Sequence, residues 1–118
     1  MPTSSAGGFP PGSVVVVPFP YSDRLAEKRR PALVVSGPEV EQAGFLWIVM
    51  ITSARNPAMK DDLPINDLAL TGLAVASKIR PVKLACIEPS RVLRRIGALE
   101  AGEADVVYES LRKLIGPI

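Results

Sequence analysis

The 118-residue sequence predicts a single, mainly β domain: a small, mostly antiparallel barrel with one helix packed at its C-terminal end. Three observations carry this. Twelve prolines and nine glycines cut the chain into short apolar runs, which suits strands and turns and not a helical bundle. The first run, Ser13-Val14-Val15-Val16-Val17-Pro18-Phe19, has no polar alternation, as for a strand covered on both faces inside a closed barrel or under a dimer contact. Only from Ala101 onward does the apolar spacing become helical.

The elements follow in order. Residues 1–12 read as a flexible N-terminal segment and residues 13–118 as the barrel domain. Residues 13–19 form the first strand. Residues 20–28 form a polar loop, long for a hairpin and therefore functional in character. Residues 32–36 form the second strand, stopped by Gly37-Pro38, and residues 39–44 make a turn or one helical turn. Residues 45–52 form the third strand, with Phe45 and Trp47 read as core or dimer contacts. A second polar loop covers residues 53–62. Short strands are expected at residues 63–65 and 73–76 around Thr71-Gly72, then at 77–80 and 82–88 with Pro81 marking an edge or bulge. Residues 92–96 lead to Gly97. In the terminal helix, Ala104, Val107, Tyr108, Leu111, Leu114 and Ile115 fall on one face, and Asp105, Glu109, Arg112 and Lys113 lie opposite. Acids near its start and bases near its end match the helix dipole, and Gly116-Pro117 ends it.

Composition narrows the function. With 47% apolar and 22% charged residues the chain is ordinary globular material. It has no histidine, which removes the commonest zinc ligand and every His-based triad. Asp61-Asp62 would point to opposite faces of a strand, so no metal or other cofactor is expected. Cys86 is alone in an apolar run and reads as a buried structural thiol in a reducing, cytoplasmic setting. No apolar stretch reaches the roughly 18 residues of a membrane span, and residues 1–12 lack the basic-then-apolar pattern of a signal peptide.

The residues that carry chemistry are basic and hydroxylic. Arg29-Arg30-Pro31 lies between two apolar strands, and Thr52-Ser53 ends a third. A guanidinium held at such a rim is suited to gripping a phosphate in two-pronged fashion. Lys28, Arg55, Lys60, Lys78, Arg80 and Lys83 are spread over the central segments, whereas the final helix region carries four acids. That asymmetry favours a basic groove made by the loops. Arg91, Arg94 and Arg95 are either a solvated face or a backbone track for RNA. Tyr21, in the first loop, is the better base-stacking candidate.

Taken in order, the motifs resemble the MazF/PemK family of type II toxins, in its PemK-like branch. The resemblance rests on Gly12, Val14 to Pro20 with its Pro18-Phe19-Pro20, Arg29-Arg30-Pro31-Ala32-Leu33-Val34-Val35-Ser36 and Ile51-Thr52-Ser53. It continues through Leu63-Pro64, Gly72-Leu73, Ser77-Lys78-Ile79-Arg80, Arg95-Ile96-Gly97-Ala98-Leu99 and Leu111 to Gly116. It covers nearly everything from Gly12 on. The usual Gly-Asp opening is Gly12-Ser13 here. The resemblance implies an SH3-like barrel, a homodimer, a cognate antitoxin whose disordered tail blocks the groove, and sequence-selective cleavage of single-stranded RNA without metal. It makes Arg30 and Thr52 the catalytic pair. Ser53 is a second hydroxyl beside them, and Ser77 matches the family's serine before the basic strand. Arg29, Ser53, Tyr21, Lys28, Arg55, Ser77, Lys78 and Arg80 are the candidate RNA contacts.

RNA carries its own nucleophile, the 2′-OH beside each phosphate. The enzyme must align it, stabilise charge on the phosphoryl oxygens and manage two protons. Arg30 suits the charge role, being protonated at all working pH, with proton donation to the leaving group as its second option. Thr52 can donate a hydrogen bond to the phosphate. Glu27, Asp23 and Glu88 are unranked candidates for taking the 2′ proton. Two other outcomes stay open: a protein-binding toxin of the same fold, like the gyrase poisons, or a member that has lost activity. The gyrase-poison relatives end in Trp-Gly-Ile, whereas this chain ends Leu114-Ile115-Gly116-Pro117-Ile118.

Overall fold

The computed structural model describes residues 8–19 and 28–116. Among these, six strands form one curled sheet, a half-barrel in the order β4-β5-β3-β2-β1-β6. The strands are β1 Ser13–Phe19, β2 Lys28–Val34, β3 Leu46–Ser53, β4 Leu63–Pro64, β5 Ser77–Ile87 and β6 Arg94–Ala98. Three α-helices accompany them, α1 Pro38–Gln42, α2 Leu68–Thr71 and α3 Ala101–Leu114, with a 3₁₀ turn at Pro89–Arg91. Every strand pairing is antiparallel.

The unalternating sequence of β1 has a direct structural counterpart, because both faces of the sheet are covered. Val14 joins Leu33, Val49, Ile51, Ile79 and Val107 in one core. Val15 and Val17 join Ala32, Val34, Leu46, Ile48 and Met50 in the other. The first core is closed by α3, whose Ala104, Tyr108 and Leu111 pack on it. The second is closed by Phe9, Ala85, Ile87 and Val92. Pro81 makes this second cover available. Arg80 pairs with Met50, yet the next pair of the ladder is Leu84 with Val49, so residues 81–83 form a bulge. A bulge bends its strand, and the two strands expected at 77–80 and 82–88 are one continuous, bent β5.

Several expectations are corrected. Residues 73–76 form no strand, and the chain before them is α2. Asp67 caps α2 by accepting from the Leu70 N–H at 2.9 Å, and Gly72 ends it at φ 74°. A cap and a left-handed glycine at this spacing are helix-boundary signals, but four residues are too few to show a helical period. Asp61 and Asp62 lie in the polar loop expected over residues 53–62, with Asp61 at φ 65°. Cys86 is exposed, because it lies on the outward side of β5 beyond the bulge, paired with Trp47. Phe45 and Trp47 are exposed as well and are not core. Ile115 is 69% exposed, since α3 ends at Leu114 and the chain leaves it in an extended conformation.

One close approach shapes the site. The β1–β6 ladder passes from Val14 with Gly97 to Val15 with Arg95, leaving Ile96 bulged. The end of α2 sits against this bulge. A Cβ on Gly97 would collide with the backbone of Leu70 and Thr71, and one on Gly72 with the carbonyl of Ile96. Two glycines facing each other let the segment after α2 lie directly on the sheet.

Candidate functional site

The site arises where two ladders run on and the one between them stops. The β1–β2 ladder extends to Phe19 with Lys28, and the β3–β5 ladder to Ser53 with Ser77. The β2–β3 ladder between them ends at Ala32 with Met50. Beyond that point β2 and β3 separate, and a cleft of about 410 Å³ opens between them. Arg29, Arg30 and Pro31 line one wall, and Ile51, Thr52 and Ser53 the other. The Ala32–Met50 register, carried two residues further, would pair Arg30 with Thr52, so the two stand on opposite walls. Gly72, Leu73, Ala74 and Val75 close one side, held there by the glycine contacts described above.

The cleft brings together Arg29, Arg30, Thr52, Ser53 and Ser77 of the sequence-derived candidates. It adds Arg94, whose neighbour Val16 separates it from Pro31 across β1. Sequence reasoning left Arg94 undecided, because only the strand order shows that β6 flanks β1 on the side away from β2. Three arginines and three hydroxyl residues thus line the cleft, and no carboxylate lines it among the described residues. Arg30 is half-buried and Arg29 exposed. Thr52 is 3% exposed, and its Oγ1 accepts from Asn56 Nδ2 at 2.5 Å. Ser53 Oγ accepts from the Arg55 N–H, and Ser77 Oγ donates to the Val75 carbonyl at 2.8 Å. The latter bond ties the wall of the cleft to β5.

The other candidates among the described residues lie outside the cleft lining. Lys78 and Arg80 belong to a covered ion cluster. Arg80 Nε and Nη2 hold the two oxygens of Asp62 at 3.1 and 3.0 Å, and Lys78 Nζ lies 3.4 Å from Oδ2. Their side chains are about one-tenth exposed. Burial pushes the Asp62 carboxyl up. The hydrogen bond from Arg80, the Met59 N–H, the Arg80 charge and Lys78 outweigh burial and hold the carboxyl below its ordinary 3.8. A guanidinium gripped in this two-pronged way and covered on its outer side buttresses the fold, and it does not line the cleft. Arg80 Nη2 also donates to the Pro57 carbonyl at 2.7 Å, and Lys78 Nζ to the Asn56 carbonyl at 2.6 Å.

Lys28 and Arg55 are exposed outside the cleft lining, as is Glu88. Tyr21, Asp23 and Glu27 lie outside the described residues. No group of three or more potential ligands that could hold a metal ion occurs among the described residues.

Comparison with solved structures places the fold. It is similar to MazF from Deinococcus radiodurans, with a TM-score of 0.72 and 20% identity over 93% of this chain and 97% of that one. It is similar to the toxin MazF-mt6 of Mycobacterium tuberculosis, with a TM-score of 0.68 and 19% identity over 86% and 93%. A mycobacterial endoribonuclease solved with its cognate antitoxin matches at a TM-score of 0.69 and 12% identity over 92% and 94%. Identities this low speak for the fold alone. No curated protein matches the sequence significantly. A family model matches residues 10–115, nearly the whole chain, which therefore belongs to the PemK-like, MazF-like toxins of type II toxin–antitoxin systems.

Proposed function

We propose that this toxin is a metal-independent endoribonuclease that cleaves single-stranded RNA in the β2–β3 cleft. The observation that carries this reading is the composition of the lining. Arg29, Arg30 and Arg94 face hydroxyl residues across a cleft whose described lining has no carboxylate. Such a surface accepts a phosphate and repels none of its charge. The 2′ hydroxyl gives up its proton as its oxygen attacks the adjacent phosphorus, forming a 2′,3′-cyclic phosphate, while the bond to the 5′ oxygen breaks and that oxygen takes up a proton, so one proton is lost and one gained. Arg30 stabilises the charge that grows on the non-bridging oxygens, and Thr52 donates a hydrogen bond to the same group. Arg29 and Arg94 hold the flanking backbone.

The cognate antitoxin, a second copy of this chain and a cytoplasmic location complete the reading. Support for self-association comes from Trp47 and Leu84, exposed on the β3–β5 ladder, and from Phe45 and Val82, exposed beside it. Support for an antitoxin comes from the fold relative solved with its own.

The test is cleavage of a long, unstructured RNA in EDTA. Wild type is expected to give discrete fragments ending in 2′,3′-cyclic phosphate. Arg30→Ala and Thr52→Ala are each expected to slow this by roughly 10²–10³, the usual cost of removing one preorganised transition-state donor. Intact RNA in the presence of well-folded wild type would sink the proposal and favour a protein-binding toxin.

A further inference from the structure

We propose that Asn56, which lies outside the cleft lining, is a positioning residue that fixes the Thr52 hydroxyl as a hydrogen-bond donor. The inference rests on the RNA-cleavage reading above. A threonine hydroxyl has one proton and two lone pairs, and it rotates to suit its neighbours. At Thr52 the Asn56 side-chain amide occupies a lone pair, donating from Nδ2 at 2.5 Å. With an N–H aimed at the oxygen, the O–H cannot also point along that line. The proton is turned away from Asn56 and is left for an acceptor in the cleft that Thr52 lines. A hydroxyl that accepts one hydrogen bond is also a stronger donor in the next.

Asn56 would be a poor guide if it moved, since it sits on an exposed turn. The turn is held at four points. Its own N–H donates to the Ser53 carbonyl at 3.1 Å, and the Arg55 N–H to Ser53 Oγ at 3.2 Å. The Asn56 carbonyl takes Lys78 Nζ, and the following Pro57 carbonyl takes Arg80 Nη2. Both cations are anchored by the single carboxylate of Asp62. A buried ion cluster adds little net stability over an apolar packing of the same volume. What this one does supply is two charged donors fixed on consecutive carbonyls beside the site. The chain of contact therefore runs from Asp62 through Lys78 and Arg80 to the turn, and from the Asn56 amide to Thr52.

The experiment measures RNA cleavage by wild type, Asn56→Ala and Asn56→Asp, each with Thr52 intact and with Thr52→Val, alongside thermal unfolding. Asn56→Ala is expected to lower kcat about tenfold and to leave KM within about twofold, as for an interaction that matters in the transition state. Asn56→Asp is expected to be slower still, because a carboxylate accepts the Thr52 proton and turns it away from the cleft. With Thr52→Val neither substitution should slow the residual rate further. NMR of the free protein adds a readout independent of turnover: Thr52 should hold one χ1 rotamer in wild type and average over several in Asn56→Ala. Asn56→Asp cleaving at the wild-type rate would overturn the proposal, as would an Asn56 effect of equal size in the Thr52→Val background. If wild type itself cleaves no RNA, the cleavage reading fails and this inference with it. Active wild type with indifferent Asn56 variants overturns the inference alone.

Discussion

The sequence holds two Arg-Pro steps, Arg30-Pro31 and Arg80-Pro81, with a second cation one residue before the first (Arg29) and two before the second (Lys78). The fold puts them to opposite uses. Arg30 stands on a cleft wall where two strands separate, with Arg29 and Arg94 lining the same space. Arg80 lies under the surface, its Nε and Nη2 fixed to Asp62 and its Nη2 also donating to the Pro57 carbonyl. The dipeptides are the same, and what differs is the carboxylate. Asp62 comes 18 residues before Arg80, and the turn that carries it is closed by its own bond to the Met59 N–H at 2.9 Å. A cation near a buried carboxylate becomes part of the scaffold, and one in a cleft lined by cations and hydroxyls is placed to meet an anion from outside.

The sharpest way to break this contrast is to delete a cation from each side. Arg80→Ala leaves Asp62 covered with only Lys78 nearby. Losing one partner of a buried ion pair costs about 3–5 kcal/mol, and the remaining Lys78 keeps the expected loss near the lower end. Arg29→Ala, at an exposed position, is expected to change stability by no more than about 0.5 kcal/mol. Urea unfolding of the two variants gives the answer. Equal stabilities would mean that the Asp62 cluster is not the buttress described here.

A milder perturbation titrates the same cluster. The Asp62 carboxyl is held below its ordinary 3.8 in the folded protein. The unfolded chain therefore takes up a proton first as pH falls. The stabilisation from this group is complete above about pH 4–5 and is lost as pH drops through the folded value. Wild-type stability is expected to fall more steeply below pH 4 than that of Asp62→Asn, which has no proton to bind there. Parallel curves for the two would remove Asp62 from the scaffold.

This contrast also marks how much the sequence could reveal. The strands that form the cleft walls were legible because Val14 to Val17, Ala32 to Val35 and the run into Thr52 are dense apolar stretches bounded by polar loops. The terminal helix was legible because fourteen residues suffice to show its period. Arg30 and Thr52 were legible as a pair by resemblance, and the register then sets them on opposite walls. The fate of Lys78 and Arg80 was not legible, because it depends on a turn residue with positive φ at Asp61 that swings Asp62 toward β5. Arg94 was not legible either, because its place depends on β6 pairing with β1 and not with its sequence neighbour β5. Asn56 gave no signal at all, since an asparagine before a proline in a polar stretch reads as an ordinary turn.

The last contrast is between the two ends of β2. Its start carries Arg29 and Arg30 into the cleft, and just past its end the Val35 carbonyl accepts from the Tyr108 hydroxyl at 2.8 Å. That bond fastens α3 across the first core, whose members include Val35 and Val107. Burial pushes the Tyr108 hydroxyl above its ordinary 10.0. The folded protein thus keeps this proton longer than the unfolded chain as pH rises. Stability from the group is complete below about pH 10 and declines above it. Tyr108→Phe removes both the bond and the titration. It is expected to cost about 1 kcal/mol at neutral pH and to flatten the decline above pH 10. RNA cleavage should stay within about twofold of wild type, because the hydroxyl acts at the far end of β2 from the proposed phosphate site. A large loss of cleavage in a stably folded Tyr108→Phe variant would show instead that the helix anchor and the arginine wall move as one unit, and that the two ends of β2 are not independent.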